Sequence, residues 1–215
     1  MHRYFITGTD TDVGKTRVTA ALALALKNAG MAPTVVKLVQ TGLAPGFPGD
    51  AARAGKLSGA RFVELARFEK AADPWSAALA GGQPEVHARE LVDAIAHITD
   101  GLVAEGAGGL MVPLNRREHF GNVAALAKLE TILVVGLKLG CLNHALLTIS
   151  QAQQGGLPLL GAVLVERWKA TDEAYRADML RSLEGKIPVI GFLPHNEDEA
   201  ASVKEGAELF KPLFA

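Results

Sequence analysis

Cysteine is nearly absent: Cys141 is the only one in 215 residues. No internal disulfide can form, and a reducing compartment is expected. A charge excess of either sign is also missing, with 22 Lys+Arg against 23 Asp+Glu. No basic field therefore advertises nucleic acid or a membrane surface as partner. The longest apolar runs, Leu157–Val165 and Ile132–Leu137, fall far short of the ~18 residues that a membrane helix needs. Internal repeats, charge runs and linker-like segments are absent, and a strand starting near Arg3 predicts no signal peptide. The six histidines show no H-E-x-x-H or Cys/His spacing, so zinc has no support. The expectation is one cytoplasmic domain over residues 1–215, with 49% hydrophobic residues supplying its core.

The apolar material is arranged in short β-rich runs separated by helical patterns. Strands are predicted at Arg3–Thr7, Pro33–Lys37, Gly101–Glu105, Thr131–Gly136, Gly161–Glu166 and Val189–Leu193. Most lack polar alternation, as strands covered on both faces do. Helices are predicted at Lys15–Ala29, His87–Ile98, Asn143–Gln154 and Asp172–Leu183. The alternation implies an α/β fold, a mostly parallel sheet between two helical layers. Two long connections, Leu38–Ala51 and Phe68–Glu85, interrupt the rhythm; loops of such length are more often functional than idle.

The sharpest signal is Gly8-Thr9-Asp10-Thr11-Asp12-Val13-Gly14-Lys15-Thr16, between the first strand and the first helix. A loop in that context turns backbone N–H groups and a helix N-terminus toward phosphate oxygens. Lys15 would meet the outer phosphates and the Thr16 hydroxyl would ligate Mg²⁺. Five residues separate Gly8 from Gly14, one more than the usual phosphate-loop spacing.

Ligands of open parallel sheets lie beyond the carboxyl ends of the strands, and the remaining unusual polar residues cluster there. Lys37 closes the second strand, ahead of Gln40-Thr41-Gly42; Glu105 closes the third, ahead of Gly106-Ala107-Gly108-Gly109. Glu166 and Pro194-His195-Asn196 follow later strands. Lys37 reads either as a solvated terminus or as a cation stabilising developing charge. Glu105 reads as a Mg²⁺ ligand or an exposed acid. Asp50 reads as a metal ligand or a helix cap, and Asn143 too could simply cap its helix. Cys141 reads as a packed side chain rather than a nucleophile.

Gly-Thr-Asp-Thr-Asp-Val-Gly-Lys-Thr at 8–16, Lys37 with Thr41-Gly42, Glu-Gly-Ala-Gly-Gly at 105–109 and Val-Gly-Leu-Lys-Leu-Gly-Cys-Leu-Asn-His-Ala at 135–145 together resemble the dethiobiotin synthetase family. The lengthened loop is a feature of that family. The resemblance implies a three-layer P-loop NTPase-like fold. It also implies an ATP- and Mg²⁺-dependent ring closure joining CO₂ to 7,8-diaminononanoate in biotin synthesis. By the same resemblance Lys37 and Lys15 are catalytic, and Thr16, Asp50 and Glu105 hold Mg²⁺. Asp12, Val13, Gly14, Lys15, Thr16, Arg17, Asp50, Glu105, Gly106, Ala107 and Gly108 serve the nucleotide. Glu166, Arg167, Pro194, His195 and Asn196 meet its base. Thr11, Lys37 and Thr41 face the substrate, and Gly140, Cys141 and Asn143 reach it across a homodimer interface.

Three positions depart from the family pattern. Leu38 stands where proline is usual after the lysine, and Pro74-Trp75-Ser76-Ala77-Ala78 replaces a Ser-Pro-rich segment. Glu166-Arg167 replaces Asn-Asp at the base position. An ionised glutamate only accepts hydrogen bonds, so Glu166 reads either as accepting from adenine N6 or cytosine N4, with loose selection between ATP and CTP, or as pointing away or pairing with Arg167 while backbone near Pro194–Asn196 meets the base. Two rival readings remain: an amidating enzyme similar to cobyrinate synthetases, and a partitioning-type ATPase switch. The first lacks a glutaminase unit here. The second resembles Gly-Lys-Gly-Gly at the loop start, where this chain has Gly8-Thr9-Asp10-Thr11.

Overall fold

A computed structural model describes residues 2–168 and 171–214. The chain runs β1 (Arg3–Gly8), α1 (Lys15–Asn28), β2 (Thr34–Lys37), β3 (Gln40–Thr41), α2 (Asp50–Ser58), β4 (Arg61–Glu64) and β5 (Arg67–Phe68). It continues through α3 (Pro74–Gly81), α4 (Ala88–Ile95), β6 (Leu102–Gly109), α5 (Phe120–Leu126), β7 (Glu130–Gly136) and α6 (Cys141–Gln154). The last elements are β8 (Leu159–Val165), α7 (Glu173–Leu183), β9 (Val189–Leu193) and α8 (Glu199–Phe210). Seven strands form one parallel sheet in the order β4-β2-β6-β1-β7-β8-β9, while β3 and β5 pair separately beyond its rim.

Successive strand residues feed opposite layers. Tyr4, Ile6, Val35, Val103, Ile132, Val134, Val163 and Val165 pack under α1, α2 and α8. Their neighbours Phe5, Val36, Leu102 and Ala104 pack under α3, α4 and α5, and Leu133, Val135, Ala162 and Leu164 under α6 and α7. Burial on both faces explains why the strand segments show no polar alternation. The edge strand β4 is different: Phe62 and Val63 are exposed. Among the described residues no helix is long and apolar enough to cross a membrane.

The predicted strands stand with small changes, β6 running on through Gly109 rather than ending at Glu105. Its register pairs Lys37 with Glu105, and Lys37 with Glu64 on the other side. Parallel neighbours at one register point side chains the same way, so these three polar residues share the carboxyl rim. The long connections fold into α2, α3 and the β3–β5 pair. α3 starts at Pro74 with Asp73 accepting from Ser76 N, a helix-start combination of N-cap Asp and first-turn Pro.

Phe120 is wholly buried in the layer below β6. Phe120→Ala is expected to cost about 3–5 kcal/mol of stability, read as a lower urea midpoint at unchanged slope.

Candidate nucleotide and metal site

The strand order reverses around β1, with β6 on one side and β7 on the other. Crevices at such reversals are where open α/β sheets bind ligands. A cleft of about 240 Å³ opens there, lined by the phosphate loop, Lys37, Thr41, Asp50, Glu105, Ala107, Gly108 and Arg167 among others. Val13 of the loop is fully buried beneath it, against Gly136, where a Cβ would come 2.9 Å from that of Val13. The loop therefore rests on β7 and presents its backbone outward.

Lys15, 6% exposed, donates to the Asp10 carbonyl at 2.8 Å. The Asp10 carboxylate is itself held by Lys138, at 2.8 Å, and by Thr11 N–H. On the loop's other flank Asp12, at the positive φ of 54°, accepts from Arg167. Burial, and secondarily the positive charge of Lys37, push the Lys15 pKa down to about 8, against the pull of Glu105 and Asp50. An arriving triphosphate would favour the charged form that burial disfavours.

Lys37, 3% exposed, spends its ammonium on Asp50 Oδ2 at 2.7 Å, Glu105 Oε1 at 2.7 Å and the Gly106 carbonyl at 3.0 Å. Burial would lower its pKa; the two carboxylates outweigh that and hold it raised. Asp50 shows the converse: burial would raise its pKa, and Lys37 keeps it lowered. Glu105 accepts further from the Thr16 hydroxyl at 3.1 Å and the Thr19 hydroxyl at 2.7 Å. Asp50 and Glu105 thus meet on one ammonium, with the Thr16 hydroxyl on Glu105. Two carboxylates and a hydroxyl are the sparse oxygen set that suits Mg²⁺ shared with phosphates. No group of three or more His, Cys, Asp or Glu side chains suited to a metal occurs among the described residues.

Other expected residues lie elsewhere. The Glu166 carboxylate does not present itself to a base. It is buried and accepts from Thr171 N–H and hydroxyl, from Arg176 at 3.1 Å and from His195 N–H at 3.1 Å. Its oxygens already bind four internal donors, and Arg167 pairs with Asp12 rather than with Glu166. Glu166 tethers the Pro194-His195-Asn196 segment through the His195 backbone. Cys141 turns its thiol inward against Tyr175 and Met179, which leaves no side-chain contact for a substrate. Asn143 is exposed on the first turn of α6, after Leu139, which is 97% exposed. Neither Gly140 nor Asn143 lines the cleft. Gln40, Arg53, Leu57 and Glu199 do, and none of them was assigned a role from sequence. The Arg53–Glu199 pair joins α2 to α8 across 146 positions, a contact with no local signal.

Comparison with known proteins agrees with this geometry. A family model described as an AAA domain matches residues 2–202. The cell division ATPase MinD of Pyrococcus furiosus superposes with TM-score 0.61 at 18% identity, covering 99% of this chain and 100% of its own. A ParA family ATPase from Chlorobium tepidum gives TM-score 0.58 at 16% identity over 99% and 93%. Fold and loop together define a P-loop nucleotide-binding α/β protein. Sequence relatives narrow that class. The ATP-dependent dethiobiotin synthetase of Rhodococcus jostii is 39% identical over 94% of this chain and 90% of its own, and that of Pseudomonas aeruginosa 39% over 99% and 98%. The chain belongs to the dethiobiotin synthetase family of ATP-dependent ligases.

The Glu166 cluster yields a pH prediction. Burial would raise its pKa, yet Thr171, His195 and Arg176 hold it lowered. A lowered carboxylate pKa stabilises the fold above the unfolded value of about 4.3, and that contribution disappears as pH falls through the folded value. Glu166→Gln brings an amide donor to a site offering only donors. It should cost about 1–3 kcal/mol at pH 7, with the gap to wild type narrowing below about pH 4. Urea titrations across that range measure it.

Proposed function

We propose that the chain closes a cyclic urea on 7,8-diaminononanoate with CO₂, in the biotin pathway, through a carbamate and a carbamic–phosphoric anhydride. One amine takes up CO₂ and loses a proton. A carbamate oxygen then attacks the γ-phosphorus of ATP, releasing ADP. The second amine attacks the activated carbon, a C–N bond forms, the C–O bond to phosphate breaks, and the amine proton leaves to solvent. The observation that carries the reading is the buried Lys37 ammonium between Asp50 and Glu105, near enough to Lys15 to depress its pKa.

Carbamate and triphosphate are both anions, so their approach needs cations already aimed between them. Lys15 meets the outer phosphates while loop residues 12–17 cradle them; Ala107 and Gly108 line the wall opposite, and Gly106 takes part through its carbonyl on Lys37. Lys37 is the cation poised between carbamate and γ-phosphate. Thr16, Asp50 and Glu105 would hold Mg²⁺, which neutralises phosphate charge when bound. Thr11 and Thr41 face the diamine side of the cleft. Gly140 and Asn143 stand away from the cleft of their own chain, which supports their serving the substrate of a second copy. The base is met by the Arg167 and Pro194–Asn196 segments. The chemistry calls for no protein nucleophile, consistent with Cys141 being packed away.

Protein incubated with the diamine, bicarbonate, Mg²⁺ and ATP should yield the cyclic urea by mass, with one ADP per ring; ATP hydrolysis without ring formation would overturn the assignment. Lys15→Ala is expected to weaken ATP binding. Lys37→Ala should keep most ATP affinity while kcat falls by about a hundredfold or more. Lys37→Arg should not restore turnover, since a planar guanidinium cannot replace a compact ammonium between two carboxylates. Equal losses of ATP affinity in the two alanine variants would contradict this division.

A further inference from the structure

Helix α2 carries Asp50 as its first residue, and the preceding Gly49 has no side chain to cap it. The first N–H groups of a helix need acceptors from outside. Gln40 supplies one: its Oε1 accepts from Asp50 N–H at 2.9 Å. Gln40 is 6% exposed, lies in β3 next to Thr41 and donates from Nε2 to the Thr41 carbonyl at 3.1 Å. Its own N–H is anchored on the Ala66 carbonyl at 2.8 Å. The contact is close enough to dictate residue 49. A Cβ there would sit 2.8 Å from Gln40 Oε1 and collide with Glu64 Oε1. Glu64 Oε1 is buried with no hydrogen-bond partner among the described residues, while Arg67 Nε holds its Oε2 at 3.0 Å, so the segment before α2 is clasped between two anchored side chains.

We infer that Gln40 is a positioning residue that fixes the Asp50 carboxylate against Lys37 and ties it to the diamine-side segment at Thr41. The argument follows from the bonding. Asp50 reaches Lys37 at 2.7 Å from a helix end whose first N–H is accepted by Gln40. Lys37 and Gln40 are three residues apart on one stretch of chain. A shift of Thr41 on meeting substrate therefore passes through one amide to Asp50. A glutamine suits the task because it accepts on one side and donates on the other. This inference rests on the reading of Asp50 as a ligand of nucleotide-bound Mg²⁺.

The test uses Gln40→Ala and the near-isosteric Gln40→Met, which keeps the volume and removes the acceptor, beside Asp50→Asn. A fluorescent ATP analogue is titrated with Mg²⁺ and, separately, with EDTA. Both Gln40 variants should lose about tenfold or more in Mg²⁺-dependent affinity and less than about twofold in EDTA, with melting temperature within a few degrees of wild type. The double variant Gln40→Met/Asp50→Asn should be no weaker than Asp50→Asn alone to within about twofold, the non-additivity of residues acting as one unit. Additive losses, or equal losses with and without Mg²⁺, would overturn the positioning role. An Asp50→Asn protein with wild-type Mg²⁺ dependence would overturn the metal reading of Asp50, and with it this inference.

Discussion

The site depends on one buried ammonium. Lys37 sits at the end of β2, where register sets it beside Glu105, and α2 brings Asp50 to its other side. Taking Lys37 and Glu105 out of water is expensive, and such a cluster is poor evidence for stability in itself. It survives here because both buried members are satisfied: Lys37 uses three acceptors and Glu105 receives three donors, while Asp50 stays a third exposed to the cleft. A saturated buried pair is rigid, and rigidity is what electrostatic preorganisation requires.

The phosphate loop follows the same logic with opposite charge. Val13 pins it to β7, and Asp10 and Asp12 pin its flanks to Lys138 and Arg167, one after β7 and one after β8. Lys15 is thereby held where burial works against its charge. An anion in the cleft would offset that cost, and the Lys15 ammonium is held by a backbone carbonyl, that of Asp10. MinD and ParA ATPases share the fold. What separates this family from them lies in side chains at the rim, since one fold hosts many chemistries.

Much of this was legible without coordinates. Gly14-Lys15-Thr16 after an apolar run announces its geometry because strand, loop and helix are contiguous in sequence. Lys37 and Glu105 were legible because charged residues closing apolar strands must emerge at one rim. The exposed β4 was missed, as an edge strand with Phe62 and Val63 in solvent carries no buried-strand pattern. The internal partners of Glu166 were not legible, for a physical reason: Thr171, Arg176 and His195 come from the β8–α7 connection, α7 and the segment after β9. No spacing rule links them to position 166.

The α/β alternation, the phosphate loop and the charged residues that meet at its rim follow from contiguous patterns of apolarity and backbone conformation, so the chain's order of residues is enough to set them. Which charges pair was settled by the packing of distant segments. It set Lys37 between Asp50 and Glu105, gave Glu166 to a structural cluster, turned Cys141 inward and made Gln40 the acceptor for α2. Pairing energies depend on distance and burial across segments far apart in the chain, and those quantities exist only after the sheet has closed.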